Sequence, residues 1–101
     1  MIKLYNDGRR ITAALSGDID HHVARIMRRE LDEVISRSSP ETLILDFENV
    51  GFMDSSGIGV IVGRYKQVSA CGGKMMIIRV KPQVDKILEI SGLKKILECS
   101  H

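Results

Sequence analysis

The chain begins with two stretches in which apolar and polar residues alternate. Ile2 and Leu4 alternate with polar neighbours, residues 6–8 read Asn-Asp-Gly, and the alternation resumes from Arg10 to Ser16. A period of two is that of a strand with one buried face, and Asn-Asp-Gly is typical of tight turns. The first sixteen residues therefore predict a β-hairpin.

Helical spacing replaces this alternation after residue 20. Apolar residues recur three and four positions apart from Val23 to Ile35, with charged residues between them. The spacing predicts an amphipathic helix that has Asp20 as its N-cap and ends at Ser38-Ser39-Pro40. Two more helices are predicted in the same way, from Asp54 to the glycines at 72–73 and from residue 82 to residue 92.

Two short apolar runs, at 42–47 and 75–80, separate the predicted helices. Such runs are typical of strands covered on both faces, so the sheet should be at least partly parallel. Residues 95–98 predict a last short strand. The whole is an α/β sandwich with a mixed, mostly parallel sheet, an N-terminal hairpin and amphipathic helices, in one domain over residues 1–101.

Composition narrows the function classes. The 15 basic and 13 acidic residues nearly cancel, and only 4% of residues are aromatic, so direct nucleic-acid binding is not expected. Cys71 and Cys99 lack metal-ligand spacing and are expected to be free thiols in a reducing compartment. No leader-like start and no apolar run of about 20 residues is present, so we expect a cytoplasmic protein without a membrane segment.

The run Phe52-Met53-Asp54-Ser55-Ser56-Gly57 follows a predicted strand and opens a helix. Amide N–H groups and the helix dipole favour an anion at a helix N-terminus, such as a phosphate on Ser55 or Ser56. The alternative is an ordinary N-cap cluster. Because parallel strands end at one edge of a sheet, we expect this loop to lie beside the loop of residues 17–22.

Other chemistries are less well supported by the same residues. A hydrolase triad of Ser55 or Ser56 with a neighbouring histidine and aspartate lacks the usual nucleophile elbow. His21 and His22 point about 100° apart on a helix, which disfavours a shared metal. Gly57, Gly59 and Gly63 resemble a dinucleotide fingerprint only weakly. The simpler interpretation is that Gly59 and Gly63 form a small-residue stripe that allows close approach of the sheet or a partner, and that Gly57 relieves crowding by the loop. Arg25, Arg28 and Arg29 are interpreted as a solvated helix face, and a rim for an acidic partner is their rarer use. Met27, Met53, Met75 and Met76 are expected to fill gaps in the core.

Three stretches carry a resemblance to a known family: Leu15-Ser16-Gly17-Asp18-Ile19-Asp20-His21-His22, Phe52 to Gln67, and Ile90 to Ile96. With this order of elements, the chain resembles the sporulation anti-anti-sigma factors of the STAS group. The resemblance implies a regulatory binding protein with no cofactor and no catalysis of its own.

By the same resemblance, the unphosphorylated protein binds an anti-sigma factor that is also a serine kinase, and so releases a sporulation sigma factor. The kinase then uses ATP to phosphorylate Ser55, and a serine phosphatase removes the phosphate. The implied partner surface comprises Asp20, His21, Asp54, Ser55, Ser56, Gly57 and Gly59. A binding module that recruits a membrane transporter or a stress complex is the alternative from another functional class.

Overall fold

The computed structural model describes residues 1–100, which form a five-stranded sheet and three α-helices. The hairpin, the helix boundaries near Ser38 and Gly92, and the α/β class agree with the sequence-based predictions. In chain order the elements are β1 (Ile2–Asp7), β2 (Arg10–Ser16), α1 (His21–Ser38), β3 (Thr42–Asn49), α2 (Ser55–Ala70), β4 (Lys74–Ile78), α3 (Pro82–Ser91), a 3-10 turn (Leu93–Lys95) and β5 (Glu98–Cys99).

The strands lie in the sheet in the order β1-β2-β3-β4-β5, with β1 antiparallel to β2 and every later pair parallel. Each crossover helix therefore carries the chain one strand further in the same direction. Because such crossovers are right-handed, all three helices are placed on the same face of the sheet. Contacts of α2 with both α1 and α3 agree with this arrangement.

One face of the sheet carries the core. In β3, Leu43, Leu45 and Phe47 are buried beneath the helices, whereas Ile44 on the opposite face is only half-buried. In β4 the alternation is the same, so the prediction that these strands are covered on both faces was wrong. In both strands, apolar residues also occupy the half-buried positions on the open face, so the sequence does not show that only one face is covered. Met76 is one of these half-buried residues and does not belong to the core, contrary to the prediction.

Asp46 lies on the open face of β3 yet is almost fully buried. Its two carboxylate oxygens accept hydrogen bonds from the Arg79 side chain, and Oδ1 also accepts from the Glu48 N–H at 3.0 Å. Burial alone would raise the pKa of Asp46, but these hydrogen bonds and the Arg79 charge hold it below its ordinary value.

The C-terminal region differs from the prediction of a strand at residues 95–98. Gly92 ends α3 in the left-handed conformation (φ 80°), and Leu93 and Leu97, four residues apart, are both buried. This spacing fits a helical turn, and the strand is confined to β5. The strand predicted to reach residue 80 ends at Ile78, because Arg79 takes a positive φ of 56°.

An ion pair joins α1 to α2, since Asp32 Oδ1 lies 2.9 Å from Nε of Arg64, a buried arginine.

Both cysteines are free thiols, as expected, with Cys71 exposed and Cys99 half-buried. Burial raises the pKa of the Cys99 thiol. Within residues 1–100, the helices fall short of the length and apolarity that crossing a bilayer requires.

Candidate functional site

The loops before α1 and α2 lie side by side, as expected for neighbouring parallel strands. Ile19 and Met53 form an isolated parallel bridge between them. The Ile19 N–H donates to the Phe52 carbonyl at 2.9 Å, and the Asp54 N–H donates to the Ile19 carbonyl at 3.1 Å. Since Ile19 and Met53 are also buried, the starts of the two helices are held at a fixed separation.

Each of these helices begins with an aspartate cap. Asp20 Oδ1 accepts from the Val23 N–H at 2.9 Å, which confirms the predicted N-cap of α1. Asp54 Oδ1 accepts from the Ser56 N–H at 2.8 Å and caps α2. The sequence-based capping interpretation therefore holds for Asp54, and it is compatible with a modification at the serine that follows.

The two serines differ in their surroundings. Ser55 is the first residue of α2 and is exposed. Ser56 is half-buried, and its N–H donates to Asp54 Oδ1. Ser56 and His21 line the same groove. Ser55 is therefore the more accessible of the two serines.

The glycines of α2 also divide into two kinds. A Cβ atom on Gly57 would lie closer than 3.0 Å to Cγ and Sδ of the buried Met53, so this position needs glycine, as the predicted crowding by the loop requires. Gly59 and Gly63 face open space, with nothing within 4 Å of an added Cβ. The expectation that their stripe allows close approach of the sheet was therefore wrong, and only approach by a partner remains.

A groove of about 210 Å³ runs between the first turns of α1 and α2 and is called the α1–α2 groove below. Ser56 and Gly59 line it from α2, and Arg25 and Arg28 line it from α1. Sequence reasoning had placed these arginines on a solvated helix face. They are exposed, but their spacing of four and seven residues from His21 puts them on the side of α1 that faces Ser56. That periodicity could have revealed them.

The geometry does not favour the enzymatic alternatives. Asp20 and Asp54 each engage a backbone N–H with Oδ1, the role of a cap rather than of a residue that orients a histidine. The position where a dinucleotide site needs an acidic residue holds Arg79, which is committed to Asp46.

Comparison with known proteins agrees with this arrangement. The model of the STAS domain matches residues 2–101. An anti-sigma F factor antagonist of Paenibacillus polymyxa is 47% identical over 83 residues, which are 82% of this chain and 71% of that protein. The chain belongs to the STAS domain family.

Solved structures place this STAS domain near SpoIIAA. The anti-sigma factor antagonist SpoIIAA in its unphosphorylated form is 29% identical and superposes with a TM-score of 0.86, covering 100% of this chain and 89% of that one. The phosphorylated form of the Bacillus cell fate determinant SpoIIAA is 28% identical, with a TM-score of 0.76 and coverage of 100% and 92%. These relatives are regulatory binding proteins rather than enzymes.

Proposed function

We propose that this STAS domain is an anti-sigma factor antagonist controlled by phosphorylation of Ser55. In its unphosphorylated form it binds an anti-sigma factor that is also a serine kinase, and a sporulation sigma factor is thereby released in the cytoplasm. Transfer of phosphate from ATP to Ser55 ends the interaction, and a serine phosphatase restores it. The partner surface is formed by Asp20, His21, Asp54, Ser55, Ser56, Gly57 and Gly59.

The observation that carries this proposal is the exposure of Ser55 at the first position of α2, directly after the Asp54 cap. A residue that is a kinase substrate needs access and a fixed backbone more than an adjacent base. The cap and the Ile19–Met53 bridge fix the backbone here. The helix N-terminus also favours the charge of a phosphate.

The same position explains how phosphate would weaken binding without unfolding the domain. A phosphoserine adds a charge of about −1.5 to −2 at pH 7. Here that charge lies beside Asp54 on an exposed surface. It therefore changes the charge of the partner-binding surface more than it changes the packing of the core. SpoIIAA, which is known in both forms, keeps a fold similar to this chain in each.

The test uses the anti-sigma F factor of Paenibacillus polymyxa, the factor that the 47% identical relative is named for antagonising. The chain is incubated with this factor and ATP, and the phosphate is located by mass spectrometry. We expect Ser55→Ala to abolish incorporation while retaining binding, and the neighbouring control Ser56→Ala to keep most of it. Phosphate mapped to Ser56 in the unmodified chain would refute the site assignment. The absence of any complex would refute the proposed function.

A further inference from the structure

The α1–α2 groove carries a positive charge that capping and phosphorylation do not use. Arg25, Arg28 and His21 line it, and none of its lining residues is acidic. The chain as a whole has a net charge of only +2, so this is a local concentration and not the general character of the surface.

A buried arginine of α2, Arg64, lies near one of the groove's arginines. Burial lowers the pKa of Arg64, its ion pair with Asp32 opposes that effect, and the nearby charge of Arg28 adds to the lowering. Arg28 is therefore near enough to Arg64 for their charges to interact. An anionic group in the groove would pair with the exposed Arg25 and Arg28, since Arg64 already has Asp32 as its partner.

Small residues line the groove where the two helices face one another. Ala24 and Gly59 line it together with the two arginines. An added Cβ on Gly59 would meet nothing within 4 Å, so the space above it belongs to the groove and not to the core of the protein. A polypeptide can thus approach α2 closely there while its acidic side chains reach Arg25 and Arg28.

We propose that the α1–α2 groove receives an acidic segment of the anti-sigma factor, with Arg25 and Arg28 pairing its carboxylates and Gly59 leaving room for its backbone. This inference rests on the proposed function and names a contact within it. The positive charge of the groove favours an acidic occupant. Because Ser56 lines the groove, that occupant would lie next to Ser55, the proposed phosphorylation site. A phosphate on the adjacent Ser55 would then repel the acidic segment.

Two pairs of variants test the contact, with affinity for the Paenibacillus polymyxa anti-sigma F factor measured by titration. Arg25→Glu/Arg28→Glu should weaken binding by about tenfold or more at low salt, with a smaller effect at high salt, as expected for partly exposed charges. The control Lys86→Glu/Lys95→Glu makes the same change in net charge at exposed positions outside the groove. It should bind like the unmodified chain.

The second pair separates occupancy of the groove from charge. Gly59→Ala adds one methyl group inside the groove, and Gly63→Ala adds one on the same helix, also in open space but outside the groove. Both should fold with an unchanged or raised melting temperature, because alanine favours a helix. Only Gly59→Ala should lose affinity, by roughly tenfold, since the methyl occupies the space of the partner.

The outcomes distinguish this contact from the function on which it rests. If the unmodified chain binds and both groove variants match their controls, the inference is overturned and the proposed function stands. If the unmodified chain does not bind, both are overturned. Loss of affinity in the groove variants alone supports the contact.

Discussion

Replacement of Gly57 by alanine tests whether the loop and helix at the site are packed as tightly as the structure indicates. Gly57 is buried in the first turn of α2, and its N–H donates to the Asp54 carbonyl at 3.0 Å. An added Cβ would fall within 3.0 Å of two atoms of Met53, a residue that is only 1% exposed. Neither of those atoms is the free end of the side chain, so Met53 has to move as a whole.

The magnitude follows from comparing two glycines of the same helix. Gly57→Ala and Gly63→Ala share the gain in helix propensity, which is up to about 1 kcal/mol, but Gly63 faces open space. The difference between them is therefore the steric term, and overpacking typically costs about 1–3 kcal/mol. For a domain of this size each kcal/mol corresponds to about 4–8 °C, so Gly57→Ala should melt at least about 4 °C below Gly63→Ala.

Thermal unfolding followed by circular dichroism measures this difference, and urea unfolding gives the free energy independently. Displacement of Met53 should also disturb its bridge to Ile19, so Gly57→Ala should bind the anti-sigma factor more weakly than its loss of stability alone would explain. Equal melting temperatures for the two variants would refute the reasoning, since they would show that Met53 moves aside at no cost.

Three further predictions concern charge. Ser55→Asp should fold normally and weaken binding to the ATP-bound anti-sigma factor by roughly 4-fold to 150-fold. This range is the repulsion of two unit charges about 5 Å apart, at effective dielectric constants between that of water and about 20. Unchanged affinity at low salt would exclude charge as the means of release. Asp20→Ala should lose about 0.5–2 kcal/mol of stability with its cap and should also bind more weakly; a lower melting temperature at unchanged affinity would leave Asp20 only the capping role. Because the pKa of Asp46 is lowered in the folded state, its ionised form stabilises the domain above the unfolded-state pKa of about 4, and this stability is lost as the pH falls through the lower folded pKa. Arg79→Ala should flatten that acid limb in unfolding measurements, and an unchanged limb would contradict the assignment.

The parts of the fold that could be predicted were those encoded by local pattern. The hairpin, the caps at Asp20 and Asp54 and the stop at Gly92 each depend on a few adjacent residues and were found at the expected positions. The coverage of β3 and β4 could not be predicted in this way. It depends on all three crossovers advancing in the same direction, which is a property of strand order and not of any single strand.

The candidate site divides along the same line. The meeting of the loops around Ile19 and Met53 followed from parallel neighbours, because such strands end at a common edge. The α1–α2 groove depends on the rotation of each helix about its axis. The spacing of Arg25 and Arg28 from His21 shows that they share one side of α1, but the sequence does not show that this side faces α2. The difference in exposure between Ser55 and Ser56 could not be predicted from the sequence for the same reason.

The bridge between Ile19 and Met53 constrains how a phosphate at Ser55 can act. Two backbone hydrogen bonds and two buried side chains join the starts of α1 and α2, and the Asp32–Arg64 ion pair joins the same helices at 2.9 Å. A change of shape at Ser55 would have to break these connections, whereas a change of charge need break none of them. The phosphate should therefore work through the field it adds beside Asp54 and the α1–α2 groove. A phosphorylated protein with an unchanged backbone and a salt-sensitive loss of affinity is the result that this argument requires.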